Sequence, residues 1–396
     1  MKIAVVADAY PPMRTSAAVQ LRDLVAEFTN QGHDVTVLLP DASLETPWRL
    51  EESENIRVLR LSAPRTKDVS YISRAIAEFR LANAMWKSYR KTPFRVSVFD
   101  GVVWYSPTIF LGSLAAKLKH LSGCRAYLIL RDIFPEWAVD MGLLKRGLLY
   151  RYFKSVEKFQ YRQADVIGVQ TPSNLDYFSK EHEEINASIE VLNNWLAPCK
   201  ATTCTIDLSR TPLADRKIFV YTGNIGIAQG IDILIDLAAR YKGDNSVGFL
   251  FVGRGTALGH LKKQIVSRQL DNVLIHDEID PNEIPSLLSQ CEAGLIALDP
   301  RHRHDNIPGK FLAYMQAGLP VLATINPGND LETLINEMQV GRVITSNRAE
   351  DLKAEADALL ASLANDDGYS TRCKTLAESR FSSRAAVQQI VAALKG

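Results

Sequence analysis

This 396-residue chain has almost no net charge, 46 Lys and Arg against 45 Asp and Glu. A nucleic-acid partner held by bulk electrostatics is therefore not expected. No stretch approaches the ~20 consecutive apolar residues that a spanning helix needs, so the chain is not expected to cross a membrane. The opening MKIAVVADAYPP has too short an apolar region, and no small-residue cleavage site, for a secretory signal. Cysteine is scarce and scattered: Cys124, Cys199, Cys204, Cys291 and Cys373 are odd in number and contain no C-x-x-C pair. That usage suits a reduced, cytoplasmic chain better than a disulfide framework or a zinc site. No D-x-D sits at a strand end, and only His302 and His304 are close among the histidines, on a loop. No metal and no other cofactor is expected. G-x-G-x-x-G is missing too, because the third glycine of VGRGTALG (Gly253, Gly255, Gly259) falls one residue late for a dinucleotide fingerprint.

What the chain does have is alternation. Lys2–Asp8 is a short run rich in β-branched residues. Helical spacing follows over 17–31 (Val19, Leu21, Leu24, Val25, Phe28), then Gly32 and a second strand at 33–40. Further strands are predicted at 56–62, 102–106, 126–130, 165–171 and 189–194, with helices between them. Prolines, threonines and serines from Pro198 to Pro212 interrupt the pattern as a linker would. Alternation restarts with strands at 218–222, 247–252, 273–276, 294–298, 321–325 and 342–345, and 351–395 reads as helical. Two such series predict an α/β protein with two Rossmann-like, doubly wound parallel-sheet domains facing a cleft. The expected division is 1–197, a linker at 198–216, a second domain at 217–378, and a C-terminal helix at 379–396 bracing the first.

Three stretches carry candidate chemistry. The first is DPRHRHDNIPGKFLAYMQAGLPVLATI (299–325), in which a strand delivers a cation-rich loop and a helix opens at Pro308-Gly309-Lys310. Such a helix start offers unpaired N–H groups and partial positive charge to a phosphate. Proline suits the first turn, and glycine lets a ligand approach the backbone. The second is YTGNIGIAQGID, where Gly223, Gly226 and Gly230 free the chain to wrap a ligand after a strand. The third is RDIFPEW (131–137), with Asp132 and Glu136 as carboxylates suited to orienting a hydroxyl or supporting an oxocarbenium-like centre. Those two carboxylates equally fit a helix cap. The helix at 71–95 mixes Arg74, Arg80, Lys87, Arg90, Lys91 and Arg95 with apolar residues at helical spacing. This pattern fits either an anionic membrane surface or a solvated helix packed on the sheet.

Taken together, YPPMRTSAA, RDIFPEW, NNW, GNIGIAQGID and IPGKFLAYMQAGLPVLA resemble the retaining GT-B glycosyltransferases of family 4. Within it they are similar to bacterial O-antigen and capsule transferases of the N-acetyl-fucosamine type. The resemblance implies transfer of a sugar, N-acetylated in that group, from a UDP-sugar to a polyprenyl-diphosphate-linked glycan in surface polysaccharide synthesis. It also implies a cytoplasmic protein in peripheral contact with the inner face of the membrane. The alternative is a non-catalytic relative that binds nucleotide-sugar or partners another transferase.

The resemblance also assigns residues. The donor would meet Gly223, Asn224, Gly226, Arg254, Glu278, Ile279, Pro308, Gly309 and Lys310. The acceptor would meet Arg14, Thr15 and Ser16, while Asp132, Glu136 and Asp305 would serve catalysis. The chain departs from the family at three places. The Arg and Lys of G-R-x4-K-G are Asn224 and Gln229, and the two glutamates eight apart are Asp305 and Ala313. Positive charge for the diphosphate is then expected from Lys310, Arg254, Arg301, Arg303 and Arg14.

Overall fold

The computed structural model describes residues 1–396 apart from 14, 54–55, 67–70, 183, 199–200, 227–228 and 299–306. The chain divides into two compact units, Met1–Trp195 with Ser383–Gly396, and Leu196–Ser382.

The first unit is built on β1 (Lys2–Val6), β2 (Asp34–Asp41), β3 (Trp48–Ser53), β4 (Ile56–Ser62), β5 (Gly101–Ser106), β6 (Arg125–Leu130), β7 (Val166–Val169) and β8 (Ser188–Val191). Their spatial order is β3-β4-β2-β1-β5-β6-β7-β8. All pairs are parallel except β3–β4, a hairpin the sequence reading missed. Residues alternate between two buried faces, as a sheet covered on both sides requires. Val102, Trp104 and Leu128 face one core, and Val103, Tyr105 and Ile129 the other. The order reverses direction between β1 and β5, and ligands gather at the carboxyl ends beside such a switch point.

The C-terminal helix Ser383–Lys395 belongs to this first unit. It buries Ala386, Val387, Ile390 and Leu394 in the core that holds Ile3, Val5 and Val103. Gly101 makes room for it, since a Cβ there would lie 2.6 Å from Leu394 Cδ1. The helix Tyr71–Tyr89 packs Leu81, Met85 and Tyr89 into the opposite core and leaves Ile76 and Phe79 exposed. The solvated, sheet-packed alternative thus describes most of that helix.

The second unit holds β9 (Lys217–Thr222), β10 (Val247–Val252), β11 (Val273–His276), β12 (Ala293–Ala297), β13 (Val321–Thr324) and β14 (Gly341–Ile344). These are parallel throughout, in the order β11-β10-β9-β12-β13-β14. Its switch point lies between β9 and β12. The stretch read as a linker is part of this unit, because Ile206, Leu208 and Leu213 sit in its core. Apolar side chains spaced through those prolines and threonines decide the matter against the loop signal.

Candidate active site

At the carboxyl end of β9 the chain turns through Gly223 and is laced to the loop after β10. Gly223 N–H donates to the Val252 carbonyl (2.9 Å), Ile225 N–H to that of Arg254 (2.8 Å), and Ala257 N–H to that of Ile225 (2.9 Å). Only glycine permits this approach: a Cβ on Gly253 would stand 1.8 Å from the Gly223 oxygen, and one on Gly255 2.2 Å from that of Ile225. The glycines that failed as a dinucleotide motif therefore serve to lock two loops together. Gly226 is buried, whereas Gly223 and Asn224 lie exposed.

The helix Gly309–Ala317 follows β12 at the other side of the switch point. Pro308 is its N-cap, with extended backbone and no side-chain cap bond, so among the described residues no side chain caps its first N–H groups. Gly309 is exposed at the mouth. Lys310, one residue in, turns toward β9: its Nζ donates to the Tyr221 hydroxyl (2.7 Å) and to Gln229 Oε1 (3.2 Å). The same ammonium lies 4.0 Å from the centre of the Tyr221 ring. Tyr221 in turn donates to the Asn224 carbonyl at 2.8 Å, which ties the lysine to the glycine-rich loop. One turn on, Tyr314 accepts from Thr222 N–H at 3.1 Å, its ring seated where Gly294 has no side chain. No carboxylate pairs with Lys310 among the described residues, and burial pulls its pKa down to about 7. A desolvated amine whose described partners are neutral holds its proton weakly.

The remaining donor candidates lie further along the sheet edge. Arg254 and Glu278 pair with each other at 3.0 Å, both largely exposed. Ile279 packs against the core of the unit. Asp305, like Arg301, Arg303, His302 and His304, lies outside the described residues. Among the described residues no cluster of His, Cys, Asp and Glu is placed to hold a metal ion.

In the first unit, Thr15 is the N-cap of the helix Ser16–Asn30, its hydroxyl accepting from Ala18 N–H at 3.3 Å. Thr15 and Ser16 are exposed beside the β1–β5 switch point, and Arg14 lies outside the described residues. Asp132 and Glu136 follow β6 but part company. Asp132 is half-buried beside Arg131, whose buried guanidinium donates to the Leu192 carbonyl (2.9 Å) and stacks on Trp195 (4.7 Å). Glu136 instead accepts from the Tyr150 hydroxyl (2.7 Å) and meets Lys154 at 3.2 Å. The capping-box alternative does not form, because the short helix Glu136–Asp140 has Pro135 as its cap and no side-chain cap bond. Sequence reasoning missed Tyr221, which an apolar strand context reads as core. An aromatic hydroxyl at the carboxyl end of a strand, two residues before a glycine, is the signal that could have found it.

Both units match glycosyltransferase families. Residues 15–195 match the model of the glycosyl transferase 4-like domain, and residues 208–374 that of glycosyl transferases group 1. The probable glycosyltransferase WbjE of Pseudomonas aeruginosa is 23% identical, covering 86% of this chain and 84% of its own. The putative colanic acid biosynthesis glycosyl transferase WcaI of Escherichia coli is also 23% identical, covering 84% and 86%. Among solved structures, HepE of Anabaena in complex with UDP and glucose superposes with a TM-score of 0.69 at 16% identity, covering 100% of both chains.

Proposed function

A chain whose two units match the glycosyl transferase 4-like and group 1 families is a glycosyltransferase of GT-B fold, and we propose that it moves a sugar from a UDP-sugar to a lipid-linked glycan in bacterial surface polysaccharide synthesis. The observation that carries the donor half is Lys310. It places one ammonium on Gln229, the residue standing where the family resemblance puts a lysine. The cation expected from the loop thus comes from the helix across the switch point. An incoming diphosphate would meet that ammonium together with the N–H groups at the helix start after Pro308, and charge-assisted contacts of this kind stabilise a departing diphosphate. HepE was solved with UDP and glucose, which supports UDP as carrier. WcaI is a putative colanic acid enzyme, which supports a polysaccharide product.

Transfer would proceed with retention. The bond from C1 to the UDP oxygen breaks while the acceptor oxygen attaches on the same face, and the departing phosphate takes the acceptor's proton. Asp305 would stand near the sugar, and Thr15, Ser16 and Asp132 near a polyprenyl-diphosphate-linked acceptor. An N-acetylated sugar is the donor to try first. UDP release with a panel of UDP-sugars and a short prenyl-diphosphate acceptor tests the reading: Lys310→Ala should lose at least ~100-fold in turnover. Turnover like wild type in that variant would reject Lys310 as the diphosphate grip. Ala313 and the internal engagement of Glu136 favour a second reading, a nucleotide-sugar binder without catalysis. Tight UDP binding with no transfer to any acceptor would select it.

A further inference from the structure

We infer that residues 137–152 of the first unit form a docking surface for an anionic lipid bilayer. The segment comprises the helix Glu136–Asp140, a turn, and the start of the helix Leu148–Gln163. Its apolar side chains face solvent: Leu148 is 85% exposed and Leu143 73%, with Trp137, Met141, Leu149 and Tyr152 exposed beside them. This is not a frayed loop. Leu143 and Leu144 N–H both donate to the Ala138 carbonyl, at 2.9 and 3.0 Å. Beneath, Phe134 and Phe153 meet edge to face at 5.0 Å, and Phe110 closes on Phe153 at 6.4 Å. Leucines held outward on a packed aromatic base mark an interaction site.

Charge decides what the site fits. Lys145, Arg146 and Arg151 stand exposed among these leucines, and Asp140 is the one exposed acid of the segment. Glu136 is turned inward to Tyr150 and Lys154, with Arg146 3.5 Å away at its rim. Leucines interspersed with cations, flanked by Trp137 and Tyr152, match an interface of acyl chains and anionic headgroups. The location agrees: the segment leaves the carboxyl end of β6, the edge of the sheet from which the 7–15 loop leads to Thr15 and Ser16. The exposed Val96 and Val98 precede β5 and so lie at the opposite edge. In the helix Tyr71–Tyr89, Arg74 is spent on Glu78 at 2.9 Å. The inference deepens the lipid-linked acceptor only in purpose, since its evidence is this surface and its test needs no turnover.

Co-sedimentation of the full chain with vesicles tests it. Vesicles mixing phosphatidylglycerol with phosphatidylcholine should bind the protein, and phosphatidylcholine alone should bind it weakly. The double substitution Leu148→Asp and Leu149→Asp should weaken binding at least about tenfold. Lys145→Glu with Arg151→Glu should cost about fivefold or more per cation, and flatten the salt dependence. Ile76→Asp with Phe79→Asp should leave binding unchanged. Melting temperatures within a few degrees of wild type would show that the exposed substitutions spare the fold. The proposal is overturned if the wild type ignores anionic vesicles, if the leucine variant binds them fully, or if the Ile76 and Phe79 variant abolishes binding. Self-association that Leu148→Asp removes, in a chain that ignores vesicles, would assign the surface to a second copy instead.

Discussion

Each unit half-buries a lysine, Lys154 in the helix Leu148–Gln163 and Lys310 in the helix Gly309–Ala317, and the two are provided for in opposite ways. Lys154 meets Glu157 at 2.5 Å and Glu136 at 3.2 Å, and donates to the Tyr177 hydroxyl at 2.7 Å. Glu157 is itself fully buried, and it also accepts from the hydroxyls of Tyr161 and Tyr177, each at 3.0 Å. Burial raises the carboxyl's pKa, opposed by that lysine. Lys310 has a phenol and an amide, and no carboxylate among the described residues. Lys154 is balanced by carboxylates within its unit, whereas the described partners of Lys310 are all neutral. A half-buried amine whose described partners are neutral is destabilised in its charged form, and its place beside a switch point and a helix start makes it the candidate for holding an anion.

The sharpest break of this comparison is one substitution made at both sites. Lys154→Met should destabilise the protein by about 3–5 kcal/mol, because it leaves Glu157 buried and unpaired. Calorimetric unfolding would show it. Lys310→Met should change stability by less than about 1 kcal/mol, or raise it, since it removes a desolvated amine with no carboxylate partner among the described residues, while UDP-sugar turnover falls at least ~100-fold. Equal melting behaviour of the two variants would erase the distinction. The smallest effect is expected at Arg254, whose exposed pairing with Glu278 is worth ~0–1 kcal/mol. Arg254→Ala should leave the melting temperature nearly unmoved and weaken UDP binding only a few-fold in a titration.

The sheets were legible because buried parallel strands read as short β-branched runs between glycines and helical spacing. Strand β3 was not: WRLEES alternates Trp48 and Leu50 with charged residues, but it is an exposed edge paired only with β4. Nor was the membership of 198–216, where three apolar side chains outweigh the turn residues around them. In the candidate site, the helix start at Pro308–Lys310 and the turn at Gly223 could be read locally. The bond from Lys310 to Gln229 joins residues 81 positions apart and depends on how β9 and β12 lie side by side. Glu136 looked like a partner of Asp132 by spacing, yet Tyr150 and Lys154, from the following helix, draw it elsewhere. The basic helix at 71–95 drew notice for its composition. Exposure, which periodicity alone does not report, singles out 137–152.

Titration calorimetry of UDP at pH 8, in buffers of different ionisation heat, tests the central claim most directly. With a pKa of about 7, Lys310 is mostly neutral there in the free protein and becomes charged against the diphosphate. Binding should therefore take up about one proton, weaken further as pH rises, and lose its proton uptake in Lys310→Met. Binding of UDP with no proton uptake, and with equal affinity in that variant, would contradict the account.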